Sequence, residues 1–520
     1  MRQWGCSRRE FVSLSASAAA TLLLPEWLLA AQSLSNNPTS RLGLAWTEQI
    51  RWGSVLDVTR MEGGGKYWDK RLVEAQSRVA QAGGGVIYFP AGDYHFENHI
   101  HLKDGVVLRG ATPRETTNAH DEAYRPETRL EFPQYRPSFT GEGNPIDSAF
   151  KGIYLETPAT AANCGVVNID INRGHIHFEE AEDHRCGGNR LVFGCVLRNC
   201  AVADPRIPSG RVTQHAWQRF TSRHHAAIDV KGSENLLVAN NRLPENGDDN
   251  FTMKDFLLKP NRGGADRFDV VFDYDNRPGL YVGHYCVGGA GGSGDDGTPE
   301  SHPYGFRRGI VIRDNYVFNT GRVCIGFAGD GTLCANNVTR IKKDVWRPTA
   351  TGEDATSGSS TNDNRAIEMR GWGWIVDGND CRVHRNWCAD HTYYINDGEG
   401  LMHEDHCNSD VRESRLTNNK VNSYLSIYKC GAIDGLLIQG NGVSTPGDIA
   451  DIYVVSDRNS GAQPCEGVIV ADNTTQSNGI LIQGSPANGN VVKDNRHLGK
   501  EGVIRNKANA KLSGNIGYQT

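Results

Sequence analysis

The chain has 520 residues, 60 of them glycine, with 22% charged residues and a formal net charge of −6. This balance excludes general nucleic-acid binding, which needs a basic footprint, while leaving room for local basic patches. Length alone allows two to four domains, but a repeat overrides that count and has to be sought first.

Residues 1–31 read as an address. Ser7-Arg8-Arg9-Glu10-Phe11 precedes an Ala- and Leu-rich stretch reaching Leu24, and small residues follow at Ala30-Ala31. A charged start, a short apolar middle and a small-residue end form the pattern of an export signal. The paired arginines followed by Phe resemble a twin-arginine signal, with Ser13 where Lys is common. That resemblance implies periplasmic or secreted delivery of a folded chain; the alternative is an arginine pair in an ordinary N-terminus. Glu26 interrupts the apolar run, which falls short of the ~20 residues of a spanning helix, and no other segment is expected to cross a membrane. Of the 13 cysteines, Cys6 leaves with the signal and 12 remain. An oxidising compartment would favour disulfides. Folding before export, and the apolar runs around Cys195, Cys324, Cys334 and Cys430, instead predict buried free thiols acting as small hydrophobes.

After a lead-in at 32–68, residues 69–82 (DKRLVEAQSRVAQA) carry helical periodicity through Leu72, Val73, Ala75, Val79 and Ala82. Then comes GGGVIYFPAGDYHFENHIHLKDGVVLRGA, residues 83–111. An asparagine recurs from there to the end: VLRNCAV (Asn199), LVANNRL (Asn241), VIRDNYV (Asn315), LCANNVT (Asn337), VHRNWCA (Asn386), LTNNKVN (Asn419), LIQGNGV (Asn441), VADNTTQ (Asn473), VKDNRHL (Asn495) and LSGNIGY (Asn515). Asn315 and Asn337, Asn419 and Asn441, and Asn473 and Asn495 are each 22 residues apart. A period of that size, built of short strands and Gly/Asn turns, predicts a parallel β-solenoid, in which stacking coils ~4.8 Å apart buries a continuous core. Asn suits the turn because it tolerates left-handed backbone, bonds its own turn and can bond a stacked neighbour. A sandwich or propeller competes, but long strands and helical crossovers are both missing. The helix, the triple glycine, the Pro-Ala-Gly and the Leu-x-Gly strand of residues 69–111 resemble the opening of pectate-lyase-like right-handed parallel β-helix proteins. That resemblance implies an all-β, single-stranded right-handed parallel β-helix over 69–515, with the helix capping an aggregation-prone end. Loop insertions are placed at about 259–308 and 343–364.

A second set of strands lies between the asparagines: AIDVKG (227–232), NFTMKD (250–255), GLYVGH (279–284), VCIGFA (323–328), AIEMRG (366–371), GLMHED (400–405), YLSIYK (424–429), DIYVVS (451–456) and GILIQG (479–484). Strand alternation sends Ile228 and Val230 inward and Asp229 and Lys231 outward. Likewise Phe251, Met253, Ile367, Met369, Leu401 and His403 go in, while Thr252, Lys254, Glu368, Arg370, Met402 and Glu404 go out. Lys231 and Lys254 are expected at one station of neighbouring coils, about 5 Å apart, where two ammonium groups repel unless an anion or carboxylate intervenes. Asp229, Asp249 and Asp255 are near enough in sequence to serve. His284, Glu368, Arg370 and Glu404 continue this face, giving mixed charge with a cationic end, suited to a polymer bearing carboxylates. The two insertions would wall a groove. The aromatics Trp217, Tyr281, Tyr285, Trp372, Trp374, Tyr393 and Tyr394 would either stack on sugar rings or merely pack loops.

IDVKGSEN, with Lys254 one coil on, resembles the catalytic strand of chondroitinase-B-like and alginate-lyase β-helices, in which a lysine base precedes an arginine by one coil. The resemblance implies Lys231 as base and Lys254 in the arginine's place, a Lys-for-Arg departure. Abstracting the C5 proton of a uronate builds charge on its carboxylate, which a cation must neutralise. A lysine serves as base when burial or a neighbouring cation lowers its pKa; the alternative is a pair of solvated surface lysines. The candidate catalytic set is therefore Lys231, Lys254, Arg370, Glu368, Glu404 and His284. Asp229, Tyr281, Trp372, Trp374 and His403 are candidates for substrate contact, and Asp249, Asp255 and Asp405 for a Ca2+ ion.

The knot Glu399, His403, Glu404, Asp405, His406 is an acid/base patch, a Ca2+ site or a stack of turn residues; its histidines are too close for H-E-x-x-H. Asp248-Asp249, Asp295-Asp296 and His224-His225 are weaker candidates. His175 and His177 alternate on a strand with no visible partner. The sequence thus points to an exported enzyme cleaving an acidic, uronate-containing polysaccharide by β-elimination, as a monomer or homotrimer. The alternatives are a glycoside hydrolase using Asp249, Glu368 and Glu404, a non-catalytic glycan-binding solenoid, and a C5-epimerase.

Overall fold

Short apolar strands separated by left-handed corners wind this chain into a right-handed parallel β-helix. The computed structural model describes residues 36–132, 154–172, 174–178, 186–198, 210–213, 227–230, 232–243, 256–260, 267–272, 285–290, 308–318, 323–340, 365–382, 399–404, 410–428, 431–444, 450–458, 461–486 and 488–519. The first complete coil runs through sheet 1 at Gly85–Phe89, sheet 2 at Gly92–His95 and sheet 3 at Ile100–His101. It returns to sheet 1 at Val106–Gly110, which pairs in parallel with Gly85–Phe89. Among the described residues, repetition of this circuit stacks 14 strands in sheet 1, with Ser485–Pro486 pairing off that path, 12 in sheet 2 and 13 in sheet 3.

Strand alternation supplies the core. Ile100, Leu155, Ile176 and Ile228 stand in one inward file of sheet 3, each at most 3% exposed. A single apolar cluster extends from Val58 to Ala510, each aliphatic side chain contributing about 1.5–3 kcal/mol of burial free energy. Sheet 1 is also apolar outside in its early coils. There Trp46, Ile50 and Trp52 of the lead-in cover Val86, Val107, Leu191 and Leu237, which explains the continuous apolar runs of those strands.

The expected helix forms at Asp69–Gln81 and lays Leu72, Ala75 and Val79 on the open end of the core. Its polar groups fasten it to the first coil. The Asp69 carboxylate accepts from the Asn98 N–H at 2.8 Å, and Gln76 Oε1 accepts from the Lys103 N–H at 3.0 Å. The solenoid's exposed end is thereby covered.

The asparagine repeat is a buried ladder at the corner between sheets 1 and 2. Asn241, Asn315, Asn337, Asn379, Asn419, Asn441, Asn473, Asn495 and Asn515 each pass a side-chain bond to the next, Nδ2 to Oδ1, at 2.9–3.0 Å. The structure corrects the sequence reading twice. Asn379 fills the station between Asn337 and Asn419, and the station before Asn241 is Cys195, whose N–H bonds Asn241 Oδ1 at 2.9 Å. Asn199 and Asn386, which lie outside the described residues, therefore hold neither station. Nor is the ladder asparagine the left-handed residue. That role falls to the one before it: Asn240, Asp314, Asn336, Gly378, Asn418, Gly440, Asp472, Asp494 and Gly514, all with φ between 54° and 69°. Arg198 and Arg385 precede the two misassigned asparagines, and a bulky side chain is disfavoured in that conformation.

The insertion expected at 259–308 is not one loop. Phe256–Pro260 and Arg267–Phe272 pair antiparallel, the latter also with Gly210–Thr213, and Tyr285–Ala290 is a strand of sheet 3. Cys164, Cys195, Cys334, Cys381 and Cys465 are buried free thiols, as expected for them. Cys430 lies outside the described residues. No helix among the described residues is long and apolar enough to cross a membrane.

Candidate functional site on the outer face of sheet 3

Outward stations of sheet 3 follow one another along the solenoid axis, one per coil and about 4.8 Å apart. Register pairs His101 with Glu156, Glu156 with His177, His177 with Asp229, and Asp229 with Gly288. Farther on, Gly326 pairs with Glu368, Glu368 with Met402, and Met402 with Ser426. Every ionisable member of this file neighbours an inward aliphatic residue on its own strand, so the core ladder fixes where the polar one stands.

The first part of the file is a histidine–carboxylate patch. His99 and His101 flank Ile100, as His175 and His177 flank Ile176. Leu155-Glu156 lies on the strand between them. His101 Nδ1 is 3.1 Å from Glu156 Oε2, and the His99 and His101 rings are 6.0 Å apart. Burial, and then the neighbouring His101, hold the His99 imidazole below its ordinary pKa, with Glu156 opposing. One ring nitrogen from each of His99 and His101 and one Glu156 oxygen lie within 4.8 Å of one another. His177, read from sequence as partnerless, stands between Glu156 and Asp229 in the ladder. His99, His101 and Glu156 were missed as site residues. The repeated phrase His-Ile-His, at 99–101 and 175–177, was the available signal.

The middle of the file is closed to solvent although it faces away from the core. Glu368 is 2% exposed and Ser426 1%, while Ile367 and Leu425 beside them belong to the core. Glu368 was expected on an open outer face; the structure keeps it on that face but buries it. Trp372 ends the same strand, under the Arg412 guanidinium at 4.8 Å. Trp374 is fully buried in the main core cluster, which overturns its assignment to substrate contact. The corner at Trp372-Gly373-Trp374, with φ +59° at Gly373, turns the second indole inward.

Lys231, Lys254, Tyr281, His284, Asp249, Asp255 and Asp405 lie outside the described residues, as do Asp248, Asp295, Asp296, His224, His225 and His406. The backbone nevertheless corrects one expectation. The strand one coil beyond Ile228–Val230 is Tyr285–Ala290, not 250–255, so the ladder does not stack Lys254 on Lys231. A spacing near one repeat length suggested neighbouring coils, but the hairpin strand Phe256–Pro260 directly follows that segment. Arg370 pairs with Ala328 and Glu404 with Tyr428. His403 pairs in register with Met369 and Ile427.

One buried cation bonds Gly232, the residue after Lys231 in sequence. Arg190 is fully buried; its Nη1 donates to Gly232 O at 3.0 Å, its Nε to Ala161 O at 3.0 Å and its Nη2 to Ala159 O at 2.6 Å. Charge-assisted bonds of this kind are the strong ones, and here they tie the Gly232 carbonyl to those of Ala159 and Ala161.

No family model and no curated protein matches the chain. Solved structures similar to it include PfbA, a surface adhesin of Streptococcus pneumoniae, at 14% identity, covering 90% of this chain and 91% of that one with a TM-score of 0.43. The A-module of the Azotobacter vinelandii mannuronan C-5 epimerase AlgE4 is similar at 10% identity, 90% and 98% coverage and TM-score 0.38. A tailspike protein of E. coli bacteriophage HK620, in complex with a pentasaccharide, is similar at 11% identity, 88% and 62% coverage and TM-score 0.36. Likeness of this degree assigns no activity to the chain.

Proposed function

We propose that the chain is an exported enzyme that binds a uronate-containing polysaccharide along the outer face of sheet 3 and cleaves it by β-elimination. The observation that carries this reading is the first part of the outward file: His101, Glu156, His177 and Asp229 occupy four successive strands of sheet 3 at coil spacing, suited to an extended polymer. Lys231 directly follows this line after Val230 and is the proposed base for the C5 proton. The buried Arg190 guanidinium, bonded to Gly232 O, supports that role by fixing the backbone at the residue after Lys231. Arg370 is on a strand three coils farther along sheet 3 and is a candidate contact for another uronate of the polymer. Lys254 has no place in this mechanism.

The test is ultraviolet absorbance of the conjugated unsaturated product during incubation with pectate, alginate, glycosaminoglycans and neutral glycans, each with and without Ca2+. A rise on one acidic polymer that is lost in Lys231→Ala, with binding retained, is the expected result. A rise that survives Lys231→Ala removes the base assignment.

A second reading, hydrolysis, is favoured by the burial of Glu368. Glu404 lies on the adjacent strand, two residues beyond Met402, the register partner of Glu368. Strand geometry separates such diagonal stations by about 8 Å, within the range of an inverting carboxyl pair. New reducing ends without ultraviolet absorbance would select this reading.

A further inference from the structure

The first coils of sheet 3 carry a donor set that the elimination chemistry does not use. Ile100 faces the core at 3% exposure, so His99 and His101 on either side of it share the outer face. Glu156 stands opposite His101 on the next strand. Ligand atoms about 2.0–2.1 Å from a tetrahedral ion are about 3.4 Å apart. The His101–Glu156 pair, at 3.1 Å, is already near that spacing. All three donor atoms lie within 4.8 Å of one another, so closing the set on an ion needs a shift of about 1.4 Å at most, within reach of side-chain rotation.

We propose that His99, His101 and Glu156 bind one divalent transition-metal cation of the Zn2+ class, with an open coordination position toward solvent.

Donor type selects the ion. Two imidazoles and a carboxylate suit Zn2+ and its first-row neighbours, whereas Ca2+ takes about six to eight oxygens. His101 is 66% exposed at its side chain and Glu156 27%, so the ion would face solvent and keep room for water or a polymer oxygen. His177, one station beyond Glu156, is the nearest further imidazole in the file.

The competing state is a plain His101–Glu156 ion pair, which takes up no metal. The test uses the tag-free full chain, stripped by chelation and titrated with Zn2+ by calorimetry and with Co2+ by visible spectroscopy. The expected result is one ion per chain, a tetrahedral Co2+ spectrum that Zn2+ abolishes, and no competition from Ca2+. His99→Ala, His101→Ala and Glu156→Gln should each weaken Zn2+ binding at least about tenfold with the far-ultraviolet circular dichroism unchanged. Because a variant that fails to fold would be mute, the unaltered chain is also melted with and without Zn2+. A raised midpoint is expected for an ion that binds the native state. No uptake, no rise in midpoint, or uptake unchanged in all three variants (an adventitious ion only) overturns the proposal. Each readout is independent of cleavage, so failure here leaves the elimination reading untouched.

Discussion

Asn315 and Asn337 are joined twice: the backbone N–H and the side-chain Nδ2 of Asn315 both donate to Oδ1 of Asn337, at 3.1 and 2.9 Å. Asn337 in turn donates its Nδ2 to Ile312 O at 3.1 Å and to Asn379 Oδ1 at 3.0 Å. One buried amide thus ties three successive coils with its donors and acceptor all engaged.

Replacing Asn337 by Ala strands several buried polar groups, each costing about 1–3 kcal/mol. A loss of about 3 kcal/mol or more is expected, read as a lower urea midpoint. The preceding left-handed residue should behave differently. Asn336→Gly is expected to be nearly neutral, while Asn336→Val should cost about 1–2 kcal/mol. Equal effects of Gly and Val would contradict the corner geometry.

The two indoles around Gly373 separate packing from binding. Trp374→Ala removes a fully buried core side chain and should destabilise the fold by about 3–5 kcal/mol. Trp372→Ala loses a half-buried ring and its cation–π contact with Arg412, worth about 0.5–1 kcal/mol. Its larger effect should be on polymer affinity. Parallel melting and binding assays check the pair.

Acid should weaken the fold through its histidines. Burial lowers the pKa of His99 and His120 from 6.5, helped at His99 by His101 and opposed at His120 by Asp314. The folded state therefore binds fewer protons than the unfolded chain as pH falls through that value. The associated stability is fully present above 6.5 and lost below it. The unfolding midpoint should fall from about pH 7 to about pH 5, and His120→Gln should flatten that slope. A slope unchanged in this variant would show that His120 does not contribute.

The buried thiols should resist alkylation. Burial raises the pKa of Cys164, Cys195 and Cys381 to about 12 and of Cys465 to about 11, and that of Cys334 well above its ordinary value. With thiolate scarce and access closed, peptide mapping after native iodoacetamide treatment should find these five unmodified, and modified after unfolding. Rapid native labelling of any of them would contradict its burial.

Period, strand type and the capping helix were legible from residues because they rest on local rules. Alternation places Ile228 and Val230 inward whatever surrounds them, and Leu72, Ala75 and Val79 form one apolar stripe in any helix. The small or acidic left-handed residue before each ladder asparagine was legible too, and would have chosen Asn379 over Asn386. What only the tertiary structure decided is which coil lies on which. Insertions of unequal length hide register, so residues 250–255 looked like the strand next to Ile228–Val230, a place that Tyr285–Ala290 holds. By the same cause, His101, Glu156 and His177 were scattered along the sequence until the ladder aligned them at one station. Burial outside the core, as at Glu368, and burial inside it, as at Trp374, depend on how the coils pack around each residue, which no spacing along the chain records.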